Sequence, residues 1–277
     1  MGHLAGANSM QLRPDWSVEL GRDPGPYSTR NSSKGALLGE TQSVFRALAS
    51  GKSLAELHAE CLTGGILRHR AQETRERVWD LLHWRFFAWR PPPWVLADLS
   101  ASAGHEVTSP EFVGLVLLHY ARRDRLTFDF ATGKLWSLWK SGGREVLRND
   151  VSDFLAEDAS SPSGRWRETT RLKVAGNVLS ALRDFGLLSG VQRKLIRQPS
   201  VPVNVALHLC RLLREEGLRG RSILEAADWH LFLWDQEDTT RALAQLAQRG
   251  NLRFERAGRS VVLEVLPHPL GDARWAL

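Results

Sequence analysis

From Val203 to the end, the chain changes hydrophobic period once, from the helical repeat to the two-residue repeat of a strand. Three amphipathic stretches come first: Val203 to Glu216 halted by Gly217, Ser222 to Leu233, and Asp238 to Arg249 halted by Gly250. Alternating residues then predict two strands, Leu252 to Glu255 and Ser260 to Leu266, turning through Ala257-Gly258 as a hairpin. Few small architectures accept three helices followed by a hairpin. The winged helix is the best known, so residues 201–277 are expected to form a winged-helix-like module.

Upstream the periodicity is helical with firm stops. Leu37, Leu38, Thr41, Phe45 and Leu48 recur at helical spacing up to Gly51, and Ser53 with Glu56 forms a capping box before Gly64-Gly65. A long helix is expected over Arg68 to Trp89, ended by Pro91-Pro92-Pro93. Further helices are expected near 94–103, 109–121 and 143–156, which makes residues 27–158 a helical bundle. Residues 1–26 read as a disordered arm, polar and rich in Pro and Gly; the small-residue stretch 1–10 is vector-like and set aside. The fold class is therefore mainly α, a helical bundle followed by the hairpin-bearing module.

Charge separates one segment from all others. Residues 161–200 hold eight cations against Glu168 and Asp184, while the chain as a whole has a net charge of +6. Everything outside this segment balances. In it, Leu172, Ala175, Val178, Leu179, Leu182 and Phe185 form one apolar stripe, so Arg165 to Phe185 is expected as a helix with Gly186 just past its end. A short strand, Arg193 to Arg197, should follow, and residues 159–200 form a basic helix-and-strand unit. A confined positive field has nucleic acid as its commonest polyanionic partner. The candidate contacts are Arg165, Arg167, Arg171, Lys173, Arg193, Lys194 and Arg197, with Trp166 either stacking on a base or anchoring the helix start. In the last module Arg241 on the third helix and Arg256 and Arg259 on the hairpin complete the set. DNA is the expected partner and RNA the alternative; a solvated basic face or an acidic protein surface would account for the same charges.

Catalytic patterns are missing from the sequence. His105-Glu106 lacks the second histidine of a zinc-hydrolase helix, and Lys140-Ser141-Gly142-Gly143 is too short to wrap a phosphate. Asp150, Asp153 and Glu157 share one helix face, but no His or Lys accompanies them. The expectation is a protein with no enzyme activity, no metal and no cofactor. Cys61 and Cys210 are isolated, which fits a reducing, cytoplasmic compartment. Apolar runs such as Phe112 to Leu118 fall far short of the roughly 20 residues of a membrane span, so no membrane contact is expected.

Three stretches resemble the BrxA family of BREX phage-defence accessory proteins: Gly35-Ala36-Leu37-Leu38-Gly39-Glu40, the Arg-rich Arg68 to Arg90, and Trp166, Thr170 and Lys173 leading to Gly186-Leu187-Leu188. The resemblance covers roughly residues 27 to 200. It implies a bundle similar to the antitermination factor NusB, a non-enzymatic nucleic-acid-binding role, and other BREX subunits as partners. A scaffold subunit of the defence complex is the second reading.

Overall fold

A computed structural model describes residues 20–30, 34–157, 165–258 and 260–266. Twelve α-helices, a π-helical turn, a 3-10 turn and five short strands are formed among them. The helices follow the sequence stops closely where a cap is local. Helix α1 spans Leu38–Ala49, and α2 (Leu54–Thr63) begins on the Ser53/Glu56 capping box and ends at Gly64, whose φ of 91° only glycine adopts easily. Helix α3 is shorter than its periodicity suggests, Gln72–Phe86. At its front, Arg75 donates to the carbonyls of Leu62, His69 and Arg70 and holds the preceding residues as a turn.

Helix α4 (Pro93–Ser102) starts on the proline run, and α5 (Pro110–Arg123) passes through the centre of the molecule. Residues on every side of α5 are buried, from Phe112 to Arg123, as expected of a helix enclosed by others. Beyond it run α6 (Arg125–Asp129), the π-helical turn Phe130–Leu135 and α7 (Trp136–Lys140), a helical path that the sequence periodicity did not reveal. Trp136 and Trp139 are half-buried and pack against the core, and Trp136 stacks on His230 with centroids 4.3 Å apart.

Strand β1 (Glu145–Val146) replaces the first residues of the helix expected from 143, and α8 covers Arg148–Glu157. Helix α9 is Glu168–Asp184, with Gly186 at φ 80° just beyond it. Strands β2 (Leu188–Ser189) and β3 (Lys194–Ile196) complete an antiparallel sheet in the order β1-β3-β2. Helix α10 (Val203–Glu215) follows. The second helix of the last module is broken into α11 (Arg221–Leu224) and the 3-10 turn Ala227–Phe232. Ala226 is extended at the break, and the Trp229 indole donates 2.7 Å to the Ile223 carbonyl in place of a helix bond. Helix α12 (Gln236–Gln248) starts on an Asp235/Asp238 capping box, and β4 (Leu252–Ala257) pairs with β5 (Ser260–Val265) so that Ala257 faces Ser260.

One hydrophobic core runs through bundle and last module alike. Helix α10 lies against α5 closely because Gly114 has no side chain; a Cβ there would sit 3.2 Å from both Val205 γ-methyls. Two buried polar systems cross the same junction. In the first, Arg22 and Arg122 face Glu216 and Asp228, and all four side chains are at most 4% exposed. Arg22 spans both acids, with Nε 2.6 Å from Glu216 and Nη2 2.8 Å from Asp228. Arg122 bonds Asp228 at 2.7 Å and also pairs with Glu216. The described end of the arm thus docks between α5, α10 and the 3-10 turn. Tyr27, a few residues on, donates to Asp129 at 3.0 Å and stacks on Phe154 of α8.

The second system is a buried chain from α4 to α5. Asp98 lies 2.6 Å from His208 Nδ1, and His208 Nε2 lies 2.9 Å from His119 Nε2. A carboxylate only accepts, so neutral His208 donates from Nδ1 and accepts at Nε2 from His119. Burial holds both imidazoles well below the ordinary histidine range, helped by Arg122 and, for His208, Arg211. Both therefore stay neutral when folded and take up protons on unfolding once pH drops below about 6.5. Their contribution to stability is complete above that pH and declines below it, on the order of 1 kcal/mol per pH unit for each histidine. Urea unfolding between pH 7.5 and 5.5 should show this decline, and His119→Gln should flatten it by about half. An equally steep decline in the variant would exclude this source.

Candidate nucleic-acid interface

The basic segment does not form one continuous patch. Helix α9 rises about 24 Å between Arg167 and Arg183, so its two ends carry separate groups of cations. Arg165, Arg167 and Lys173 lie exposed at the first end. The helix begins at Glu168, three residues later than the apolar stripe implies, because Arg171 donates 2.6 Å to the Trp166 carbonyl and stabilises a bend there. Arg171 is consequently half-buried and turned back toward the chain, rather than pointing outward as its place opposite the stripe suggests. Trp166 is half-buried, with part of its surface packed on the core.

The second end of α9 meets the sheet. Side chains alternate along β3, so Lys194 and Ile196 turn inward while Arg193, Leu195 and Arg197 face out. Arg193 is engaged: its guanidinium forms a two-point pair with Glu145, at 3.2 and 3.0 Å. The pairing holds Glu145 below the usual carboxylate range and raises Arg193. Arg197 donates 2.7 Å to Ser189 Oγ, and Lys194 donates 3.1 Å to the Gly190 carbonyl. Burial, Arg183 and Arg148 lower the Lys194 ammonium below its ordinary range.

Arg148 is a cation that the charge count passed over, since it lies outside residues 161–200. It leaves β1 two residues after Val146, the partner of Lys194, and its guanidinium lies over Gly176 of α9. A glycine inside an amphipathic helix is the sequence signal for such an approach.

The third helix of the last module carries a different field. Asp235, Glu237 and Asp238 occupy the start of α12, and Arg241 is paired with two of them, Glu237 at 3.3 Å and Asp238 at 3.1 Å. Arg256 on the hairpin donates to Thr240 at 3.4 Å, and Arg253 is held by Glu255. Arg259 lies outside the described residues. Thus Arg165, Arg167 and Lys173 are exposed cations with no ion pair among the described residues, whereas Arg193 and Arg241 are locally neutralised. The Asp150 carboxylate accepts from the Leu147 amide at 2.7 Å and so serves the start of α8. No cluster of three or more metal-ligating side chains occurs among the described residues.

These features define a mainly helical protein with a continuous core, an exposed basic helix start and a short C-terminal hairpin. None of its described helices is long and apolar enough to cross a membrane. The BrxA family model matches residues 25–213, from the arm through most of α10, and the chain belongs to that family, whose members are accessory proteins of BREX phage-defence systems. The hairpin and α12 lie beyond the match. A solved structure of an uncharacterized protein from Magnetospirillum magneticum shares the fold: TM-score 0.56 at 14% identity, over 69% of this chain and 96% of that one. No curated protein matches the chain.

Proposed function

We propose that this BrxA-family chain is a non-catalytic accessory subunit that binds double-stranded DNA through the start of α9, in the cytoplasm and together with other BREX subunits. The observation that carries this reading is the trio Arg165, Arg167 and Lys173, exposed and without an ion pair among the described residues. Cations already paired to carboxylates must break those pairs before they neutralise phosphates, so they add less to binding. Arg171 supports the trio by fixing the Trp166 bend, and Arg148, Lys194 and Arg197 extend the field along α9. Arg193, Arg241 and Arg256 contribute less, and the hairpin module, for all its winged-helix order, presents three carboxylates where a groove-reading helix would approach phosphate. The buried thiols of Cys61 and Cys210, pushed up to about 12 by burial, are inert and compatible with a reducing compartment.

A shift assay on duplex DNA, single-stranded DNA and RNA tests this reading. Three to five phosphate contacts predict a log–log salt slope of about −2.7 to −4.5 on the duplex, at roughly −0.9 per contact. Absence of binding at low salt, or a slope near zero, would refute it; preference for RNA would move the function to the other polyanion. The acid-rich start of α12 favours a second role for the last module, contact with protein rather than with DNA.

A further inference from the structure

Residues 22–30 of the arm take up neither helix nor strand, yet the first of them is among the largest fully buried side chains of the described residues. The surroundings of Arg22 have a particular shape. Its Nε lies 2.6 Å and its Nη2 2.8 Å from the two oxygens of Glu216, a fork on one carboxylate, while Nη2 also donates 2.8 Å to Asp228. Its Cζ lies 5.4 Å from the centroid of the Phe128 ring. The backbone on either side is gripped as well. Gly21 lies against the Trp89 indole at φ 81°, where a Cβ would come within 3.0 Å of the ring. The Asp23 amide donates 3.1 Å to the Arg122 carbonyl.

Every group that meets Arg22 comes from far along the chain. Glu216 ends α10, Asp228 lies in the 3-10 turn, Phe128 in α6, and Trp89 just past α3. Without Arg22 the site keeps two buried carboxylates and one guanidinium, that of Arg122, and so carries an uncompensated negative charge. Two carboxylates set to receive a planar fork favour a guanidinium over an ammonium, which is a point donor.

We infer that the junction of α5, α10 and the 3-10 turn is a receptor site for the guanidinium of an extended Gly-Arg segment, which the chain's own arm fills in cis. The arm is a ligand tethered to its receptor rather than an element of the core. The emptied site therefore accepts a guanidinium with no covalent link to the chain. This site is separate from the proposed DNA contacts at the start of α9 and stands whether or not that reading holds.

The test uses the full chain with Arg22→Ala, which removes the ethylguanidinium portion of the side chain and leaves the rest of the arm in place. N-Ethylguanidinium should raise the melting temperature of this variant saturably, by about 3 °C at roughly tenfold excess over its dissociation constant. The wild-type chain, whose site is filled, should show no rise. Ethylammonium, with the same charge, and N-ethylurea, with the same shape, should produce little of the effect. When Arg22→Ala is combined with Asp228→Asn, Arg122 and Glu216 already balance, and the rise should vanish. Arg22→Lys, which keeps the charge but not the fork, should melt well below the wild type. A rise in the wild-type chain, no rise in Arg22→Ala, an equal response to all three compounds, or a lysine variant as stable as the wild type would overturn the inference. Should Arg22→Ala be recovered only as aggregate, refolding from urea with each compound takes the place of the melting curve. Folded chain regained with N-ethylguanidinium alone then supports the site, and equal recovery with all three, or with none, refutes it.

Discussion

Replacing Asp228 with Asn should destabilise the protein by about 3–5 kcal/mol, the largest effect expected of any single isosteric change in the chain. The side chain keeps its shape but loses its charge, leaving Glu216 alone to balance Arg22 and Arg122 where no side chain is more than 4% exposed. Burial by itself would raise the Asp228 carboxyl, yet the two guanidiniums outweigh it and keep it below the usual carboxylate range. Its stabilising charge is therefore present above about pH 4 and lost as the pH falls further. Urea unfolding at pH 7 gives the free energy directly. Arg22→Met should also destabilise, and combining it with Asp228→Asn should cost less than the two separately, because the double variant returns the site to one charge of each sign. Additive losses, or a loss below about 1 kcal/mol for Asp228→Asn, would mean that the four residues do not clamp the arm, α5 and the last module together.

The second large effect concerns binding. Reversing Arg165, Arg167 and Lys173 to Glu should abolish measurable duplex binding at physiological salt, while changing all three to Gln should lower the salt slope by about 2.7, at roughly 0.9 per lost contact. Stability should hardly move, since all three are exposed and unpaired among the described residues. Arg241→Glu is the contrasting variant. It removes a cation already shared by Glu237 and Asp238, so its effect on DNA affinity should be much smaller. Should Arg241→Glu weaken binding as much as the triple reversal, the contact surface would be α12 and the winged-helix reading of its role would stand instead.

The charge excess in residues 161–200 was legible without any structure, and so was the amphipathic helix within that segment. What the count could not show was which cations remain available. Arg193 is neutralised by Glu145, 48 residues earlier, and Arg171 is drawn back by a carbonyl five residues before it. Arg148 joins the site only because β1 brings it there. Availability depends on partners, and partners depend on the pairing of distant segments.

The division follows the range of the forces involved. Caps, glycine stops and apolar period act within one or two helical turns, so the Ser53/Glu56 box, the ends at Gly64 and Gly186 and the C-terminal hairpin could be read from neighbouring residues alone. The chain by itself determined a mainly helical fold, the place of its charge and its kinship to the BrxA family. Tertiary structure alone decided that the second helix of the last module breaks and that a two-residue strand at Glu145 joins β3. It also decided that Arg22 is buried against acids about 200 positions away. Those outcomes turn on burying charge and pairing backbone across the molecule, where loop closure and desolvation set the balance and local propensity carries no signal.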